Sequence, residues 1–153
     1  MSLLVYWNTR AICEPIRIML HLCGEEFTDK RYQVGPAPEY NKDEWNSAKN
    51  ELGLSIPNLP YYMDPTNGVK LSQTNAILAY LGEKYGLSGT SLVERASVVM
   101  MTEGLRDWIY AFFDVTYCNA HWIPKDQQDA GVHENKANDP RMQCSLDLSM
   151  APK

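Results

Sequence analysis

The order in which hydrophobic periods change over the first 85 residues constrains the fold more than any other feature of this chain. Residues 2–7 (SLLVYW) form a short apolar run with β-branched and aromatic members, which reads as a buried strand. From Ile12 the period becomes helical: Ile16, Met19, Leu20 and Cys23 fall at i, i+3, i+4 and i+7, one face of a helix. Pro15 sits in its first turn, where the missing N–H costs nothing, and Gly24 stops it. Residues 27–34 read as a half-exposed second strand. Gly35-Pro36-Ala37-Pro38 forbids regular structure, and residues 43–49 suit a short helix. Residues 57–64 hold a strand starting near Pro60, because proline is tolerated at a strand's first residue or edge. Asp64 to Gly68 is a turn by composition, and Val69-Lys70-Leu71 pairs back as a hairpin. Ser72 is the expected cap of a helix running through Lys84, with Gly86 as its stop.

The order β-α-β followed by β-β-α predicts a right-handed parallel unit joined to an antiparallel hairpin. That is an α/β thioredoxin-like N-terminal domain over residues 1–85, a four-stranded mixed sheet with helices on both faces. A second segment starts near Ser91. Leu105, Trp108, Ile109, Phe112 and Thr116 keep helical spacing, so residues 91–122 read as one long helix opening an incomplete all-α C-terminal domain. Residues 125–153 hold few large apolar residues without period and read as a disordered polar tail.

Composition excludes some functions. A net charge of −5 argues against a nucleic-acid partner, which needs clustered Lys and Arg. No apolar run reaches the roughly 18 residues of a membrane span. The apolar N-terminus lacks a basic region and a cleavage site, so it reads as a strand rather than a signal peptide. The four cysteines, Cys13, Cys23, Cys118 and Cys144, form no C-x-x-C and no metal-ligand spacing, and the expected location is the reducing cytoplasm.

Four places can carry chemistry. Tyr6 and Trp7 end the first strand, and ligands of open α/β sheets bind beyond the carboxyl ends of strands. Tyr6 is thus either a site residue or a packing residue with a wet hydroxyl. Cys13 lies near the following helix start, where a thiolate could be stabilised; the alternative is a half-buried small residue. Leu59-Pro60 suits a cis bond that turns the Leu59 backbone toward an extended peptide. Gln73-Thr74 open a helix whose first amides favour a carboxylate, or simply form an ordinary helix start. Together the last two features could hold a short anionic peptide.

Tyr6-Trp7, Trp45, Lys49, Glu51-Leu52-Gly53-Leu54, Pro57-Asn58-Leu59-Pro60-Tyr61 and Leu71-Ser72-Gln73-Thr74-Asn75-Ala76-Ile77 occur here in one register. With Gly35-Pro36-Ala37-Pro38-Glu39-Tyr40, this set resembles the mu-class glutathione transferases, closely over residues 1–90 and moderately over 91–122. The resemblance implies an enzyme that conjugates glutathione to small hydrophobic electrophiles, with glutathione as substrate and no cofactor or metal. It implies that Tyr6 donates a hydrogen bond to the glutathione sulfur and that Trp7 lines the site. Leu59, before Pro60, would pair its backbone with the cysteinyl unit, with Asn58 nearby. Gln73 and Thr74 would hold the γ-glutamyl carboxylate, and Trp45 and Lys49 the glycyl carboxylate.

Asp107 would reach the glutathione of a partner subunit in a homodimer or heterodimer, and Tyr117 would face the electrophile. The pattern departs in four places: Thr74 stands for a usual Ser, Lys42 for a frequent Arg, Ile56 for an aromatic that inserts into the partner, and a polar tail for the remaining helices. The expected dimer is therefore weakened. Two other readings stand beside the enzyme: a glutathione-binding or subunit-pairing variant without turnover, and a redox protein using Cys13. Missing C-x-x-C argues against the last.

Overall fold

A computed structural model describes residues 1–36 and 39–113. The chain divides into two units, with the boundary between Thr90 and Ser91. The first contains strands β1 (Ser2–Trp7), β2 (Phe27–Tyr32), β3 (Tyr61–Asp64) and β4 (Val69–Ser72), and helices α1 (Glu14–Leu22), α2 (Asp43–Ala48) and α3 (Thr74–Lys84). A 3-10 turn, Ala11–Cys13, precedes α1.

The sheet order is β2-β1-β3-β4. β1 pairs with β2 in parallel and with β3 antiparallel, and β3 and β4 form the expected hairpin. This is the thioredoxin-like arrangement. Position explains the strand sequences. Central β1 is covered on both faces, so Leu4, Val5 and Tyr6 are all buried and no alternation survives. Edge strand β2 alternates half-buried and exposed residues along most of its length.

Register sorts the core into two layers. Leu4 lies opposite Tyr62 and Asp29, and Arg17 of α1 bonds Asp29, so α1 packs on the Leu4 face. There Leu4, Ile16, Leu20, Tyr62, Ile77 and Leu81 are fully buried. Each such aliphatic side chain contributes about 1.5–3 kcal/mol. The opposite face is aromatic: Trp45 of α2 packs between Tyr32 and Tyr61, with ring centroids 5.8 and 6.2 Å away.

Two helix stops are as expected. Gly24 and Gly86 follow the last residues of α1 and α3 at φ +67° and +68°, with open space where a Cβ would stand. The demand there is conformational, not spatial. The expected cap is not. Ser72 ends β4 and donates its hydroxyl to the Ile56 carbonyl at 2.5 Å, while Gln73 occupies the position before α3 without a side-chain cap. Ser72 still pairs with Tyr61 across the hairpin, so its backbone remains in the ladder and its hydroxyl faces the preceding loop. The second strand stops at Tyr32, two residues short of expectation, where β1 also ends.

In the second unit α4 spans Leu92–Phe113, inside the expected 91–122. Ser91 starts it with a capping box: Glu94 N–H donates to Ser91 Oγ at 3.1 Å and Ser91 N–H donates to Glu94 Oε2 at 3.0 Å. The expected continuation beyond Phe113, the tail 125–153 and Tyr117 lie outside the described residues. No helix among the described residues is long and apolar enough to cross a membrane.

Candidate active site

Tyr6 is the penultimate residue of the central strand and is buried. Its register partner is Arg31, so it shares the face on which α1 packs. The chain leaves β1 through a tight exit: Asn8 N–H donates to the Tyr32 carbonyl at 2.8 Å, and Thr9 N–H to the Trp7 carbonyl at 2.6 Å. Trp7, half-buried, points to the other face, where its ring meets Tyr32 edge-on at 6.2 Å. The Lys42 ammonium stands 5.9 Å above the Trp7 ring.

Trp7, Tyr32, Trp45 and Tyr61 therefore run as one aromatic series from the end of β1 to α2 and β3. Lys49 follows α2, half-buried, with its ammonium 3.4 Å from Asn46 Oδ1. The Leu59–Pro60 bond is cis, as expected, and both residues are buried. The Leu59 N–H is already engaged: it donates to the exposed Asn58 Oδ1 at 2.9 Å. Val5 pairs with Tyr61, so this bend lies at the same end of the sheet as Tyr6 and Trp7.

Gln73 is exposed and held at φ +74°. A non-glycine residue there costs on the order of 1–3 kcal/mol, a kind of backbone strain that clusters at ligand clamps. Thr74 donates its hydroxyl to the Ile12 carbonyl at 3.3 Å, which ties the start of α3 to the turn before α1. The β1 exit, the Pro60 bend and the α3 start thus lie at one end of the sheet, the carboxyl end of β1, with Trp45 of α2 on the Trp7 face. Asp107 belongs to the second unit, where it is exposed on α4.

Cys13 fits the inert alternative. It is fully buried, and burial pushes its thiol up to about 12, outweighing the pull of nearby Arg17. A thiolate there is disfavoured at neutral pH. Sequence reasoning missed three features: the backbone of Gln73, the Asn58 carboxamide on Leu59, and Arg17. Only Arg17 left a trace, as a basic residue inside the buried stripe of α1.

A thioredoxin-like domain followed by a helix, with polar and aromatic residues gathered at the end of its central strand, defines a class that comparison narrows to one family. The family model for the glutathione S-transferase N-terminal domain matches residues 2–83, more than half of the chain. A glutathione S-transferase of Dermatophagoides pteronyssinus is 44% identical over 115 residues, 75% of this chain and 52% of that protein. Glutathione S-transferase Mu 1 of Oryctolagus cuniculus is 41% identical over 112 residues, 73% of this chain and 50% of that protein. Among solved structures, the Pi-class glutathione S-transferase of Onchocerca volvulus superposes with a TM-score of 0.64 at 30% identity. It covers 76% of this chain and 50% of that one. The chain belongs to the glutathione S-transferase family. It spans about half the length of the curated relatives it matches.

Proposed function

We propose that the chain is a mu-class glutathione transferase subunit that binds glutathione at the carboxyl end of β1 and activates its thiol. The observation that carries this reading is that the β1 exit after Tyr6 and Trp7, the cis Leu59–Pro60 bend before β3 and the strained Gln73 after β4 share one end of the sheet, with Trp45 of α2 on the face that Trp7 occupies. In this reading residues 1–85 are the glutathione-binding domain. Residues 91–122 begin the helical domain, and 125–153 are the tail.

The Tyr6 hydroxyl donates to the glutathione sulfur. One charge-assisted hydrogen bond contributes about 1.5–3 kcal/mol. At about 1.4 kcal/mol per pKa unit, that lowers the thiol by one to two units. The thiol proton passes to solvent. The thiolate then attacks an electrophilic carbon, forming the C–S bond as the leaving group departs with its electron pair. Glutathione is the co-substrate, so the step needs no metal or redox cofactor.

Gln73, Thr74 and the first amides of α3 hold the γ-glutamyl carboxylate, and Trp45 and Lys49 the glycyl one. Asn58 gives up the Leu59 N–H to the cysteinyl carbonyl as the peptide enters. Trp7 lines the cleft, Tyr117 faces a small hydrophobic electrophile, and Asp107 serves the partner's site in a homodimer or heterodimer. The expected setting is the cytoplasm, as a detoxification enzyme.

Steady-state turnover of a generic aryl halide, run beside retention on immobilised glutathione, tests this. The expected result is retention with glutathione-dependent turnover. Retention without turnover would favour a binding or subunit-pairing role, and loss of both would remove the reading.

A further inference from the structure

Arg17 is a basic residue whose side chain is only 6% exposed, in the middle of α1. Three elements hold it. Its Nε donates to Asp29 Oδ2 of β2 at 3.1 Å, and its Nη1 to Glu14 Oε2 at 3.1 Å within α1. The same Nη1 donates to the Thr9 carbonyl at 3.0 Å, in the loop that leaves β1 just after Tyr6 and Trp7. Asp29 Oδ2 also accepts Arg31 Nε and Nη2, at 2.8 and 2.6 Å, so one oxygen serves both guanidinium groups. Asp29 Oδ1 and Arg17 Nη2 stay buried without a hydrogen bond among the described residues.

A buried guanidinium with an unused N–H is expensive to keep for packing alone. An aliphatic residue would fill the same stripe between Ile16 and Leu20 at less desolvation cost. No aliphatic side chain could make any of its three bonds, and the one to the Thr9 carbonyl is the one that reaches the loop leaving β1. Thr9 in turn donates to the Trp7 carbonyl, and Arg31, the other guanidinium on Asp29, is the register partner of Tyr6.

We propose that Arg17 is a positioning residue for sulfur activation: by anchoring Thr9 it fixes the exit of β1 and hence the Tyr6 hydroxyl. This rests on the reading of Tyr6 as the residue that activates glutathione. Misplacement of a reacting group by about 1 Å costs up to ~100-fold in rate. A loosened exit therefore lowers kcat while leaving glutathione affinity, set by α2, Leu59 and α3, nearly unchanged.

The test compares the full chain with Arg17→Lys, which keeps the charge beside Asp29 but loses the fork. Glu14→Gln, at a side chain 35% exposed, loosens one tie without opening the core. Amide exchange of residues 8–13 and steady-state kinetics are read together, with melting curves to confirm folding. Expected for Arg17→Lys are faster exchange at 8–13 and a kcat lower by roughly 10-fold or more, with KM for glutathione within about threefold. Glu14→Gln should move both readouts the same way by less, and it decides the question if Arg17→Lys does not fold. A native chain without turnover overturns the Tyr6 reading and this inference together. Native turnover with unchanged kcat in both variants, or a fall in kcat without faster exchange at 8–13, overturns this inference alone.

Discussion

Cys13 and Tyr6 lie seven positions apart, and burial separates their chemistry. The Cys13 thiol is fully buried and pushed up to about 12 by that burial, so its side chain packs and does not ionise near neutrality. Cys13→Ala should therefore cost about 1–2 kcal/mol through the small cavity it leaves, with glutathione-dependent turnover intact. Cys13→Ser should cost more, about 1–3 kcal/mol, because it buries a hydroxyl where no partner is ready. Denaturant melts of the two variants check the order, and equal or greater turnover loss than Tyr6→Phe would reinstate the thiol. At this scale the candidate site was legible wherever a residue type carries its own chemistry: an aromatic hydroxyl at a strand end, a proline at a strand head. Asn58 on the Leu59 amide and Arg17 on the Thr9 carbonyl were not legible, because each depends on a loop path that the linear order does not reveal.

Between elements, the network at the sheet end opposite Tyr6 holds the two halves of the sheet together. Asp64 ends β3, is buried, and caps the following 3-10 turn by accepting the Thr66 and Asn67 amides. It also accepts Tyr80 from α3 at 2.9 Å and Lys84 Nζ at 2.9 Å. Lys84 in turn reaches Glu25 at 2.9 Å, which accepts Ser2, Tyr62 and Tyr85 as well. Lys84, then Asn67, hold the Asp64 carboxyl well below the usual range against the opposing effect of burial. For Lys84 burial is the largest single influence and would lower it, but the bonds to Asp64 and Glu25 outweigh it and raise it.

The signs set the pH window. Asp64 stabilises the fold fully above its unfolded value of about 4 and loses that contribution as pH falls toward its depressed folded value. Lys84 contributes fully below its unfolded value of about 10.4 and loses its share as pH rises past it. The denaturant midpoint should therefore drop steadily below about pH 4. Asp64→Asn should flatten that slope and cost about 3 kcal/mol at pH 7, the low end for a broken buried pair, since Lys84 keeps Glu25. An unchanged acid slope in that variant would contradict this account. Asp64 read from sequence as the first residue of a turn; it ends β3, paired with Val69, and its side chain caps the turn that follows. Its role as hub was hidden because Lys84 and Glu25 lie 20 and 59 residues apart from their partners. Helix stops at Gly24 and Gly86 were legible, because a left-handed residue after a helix is a local demand. Ser72 was not, because a serine before a helix also suits the end of a strand.

For the whole molecule, the exposed apolar side chains of α4 bear most on stability. None of its residues is buried, and Met100, Met101, Leu105, Trp108 and Phe112 are each at least half exposed. Burying each large side chain contributes about 1.5–3 kcal/mol, a large share of a domain's ~5–15 kcal/mol when summed over five. A patch of this kind drives association. The 153-residue chain should sediment with a concentration-dependent mass, and Met101→Glu with Trp108→Lys should return it to monomer; a native chain that stays monomeric at all concentrations contradicts this. The long helix was legible from spacing alone, since helical period survives without knowledge of its partners. What covers the helix was not, because period says which side chains share a face and nothing about the surface that meets them.

The central claim is that Tyr6 holds glutathione as its thiolate, and the ultraviolet absorbance of the bound thiolate, titrated against pH, tests it most directly. The account predicts that the bound thiol of the native chain ionises one to two units below free glutathione, following about 1.5–3 kcal/mol from one charge-assisted hydrogen bond. Tyr6→Phe should return it to the free value while glutathione affinity changes little. An undiminished shift in Tyr6→Phe, or no shift in the native chain, would contradict the account.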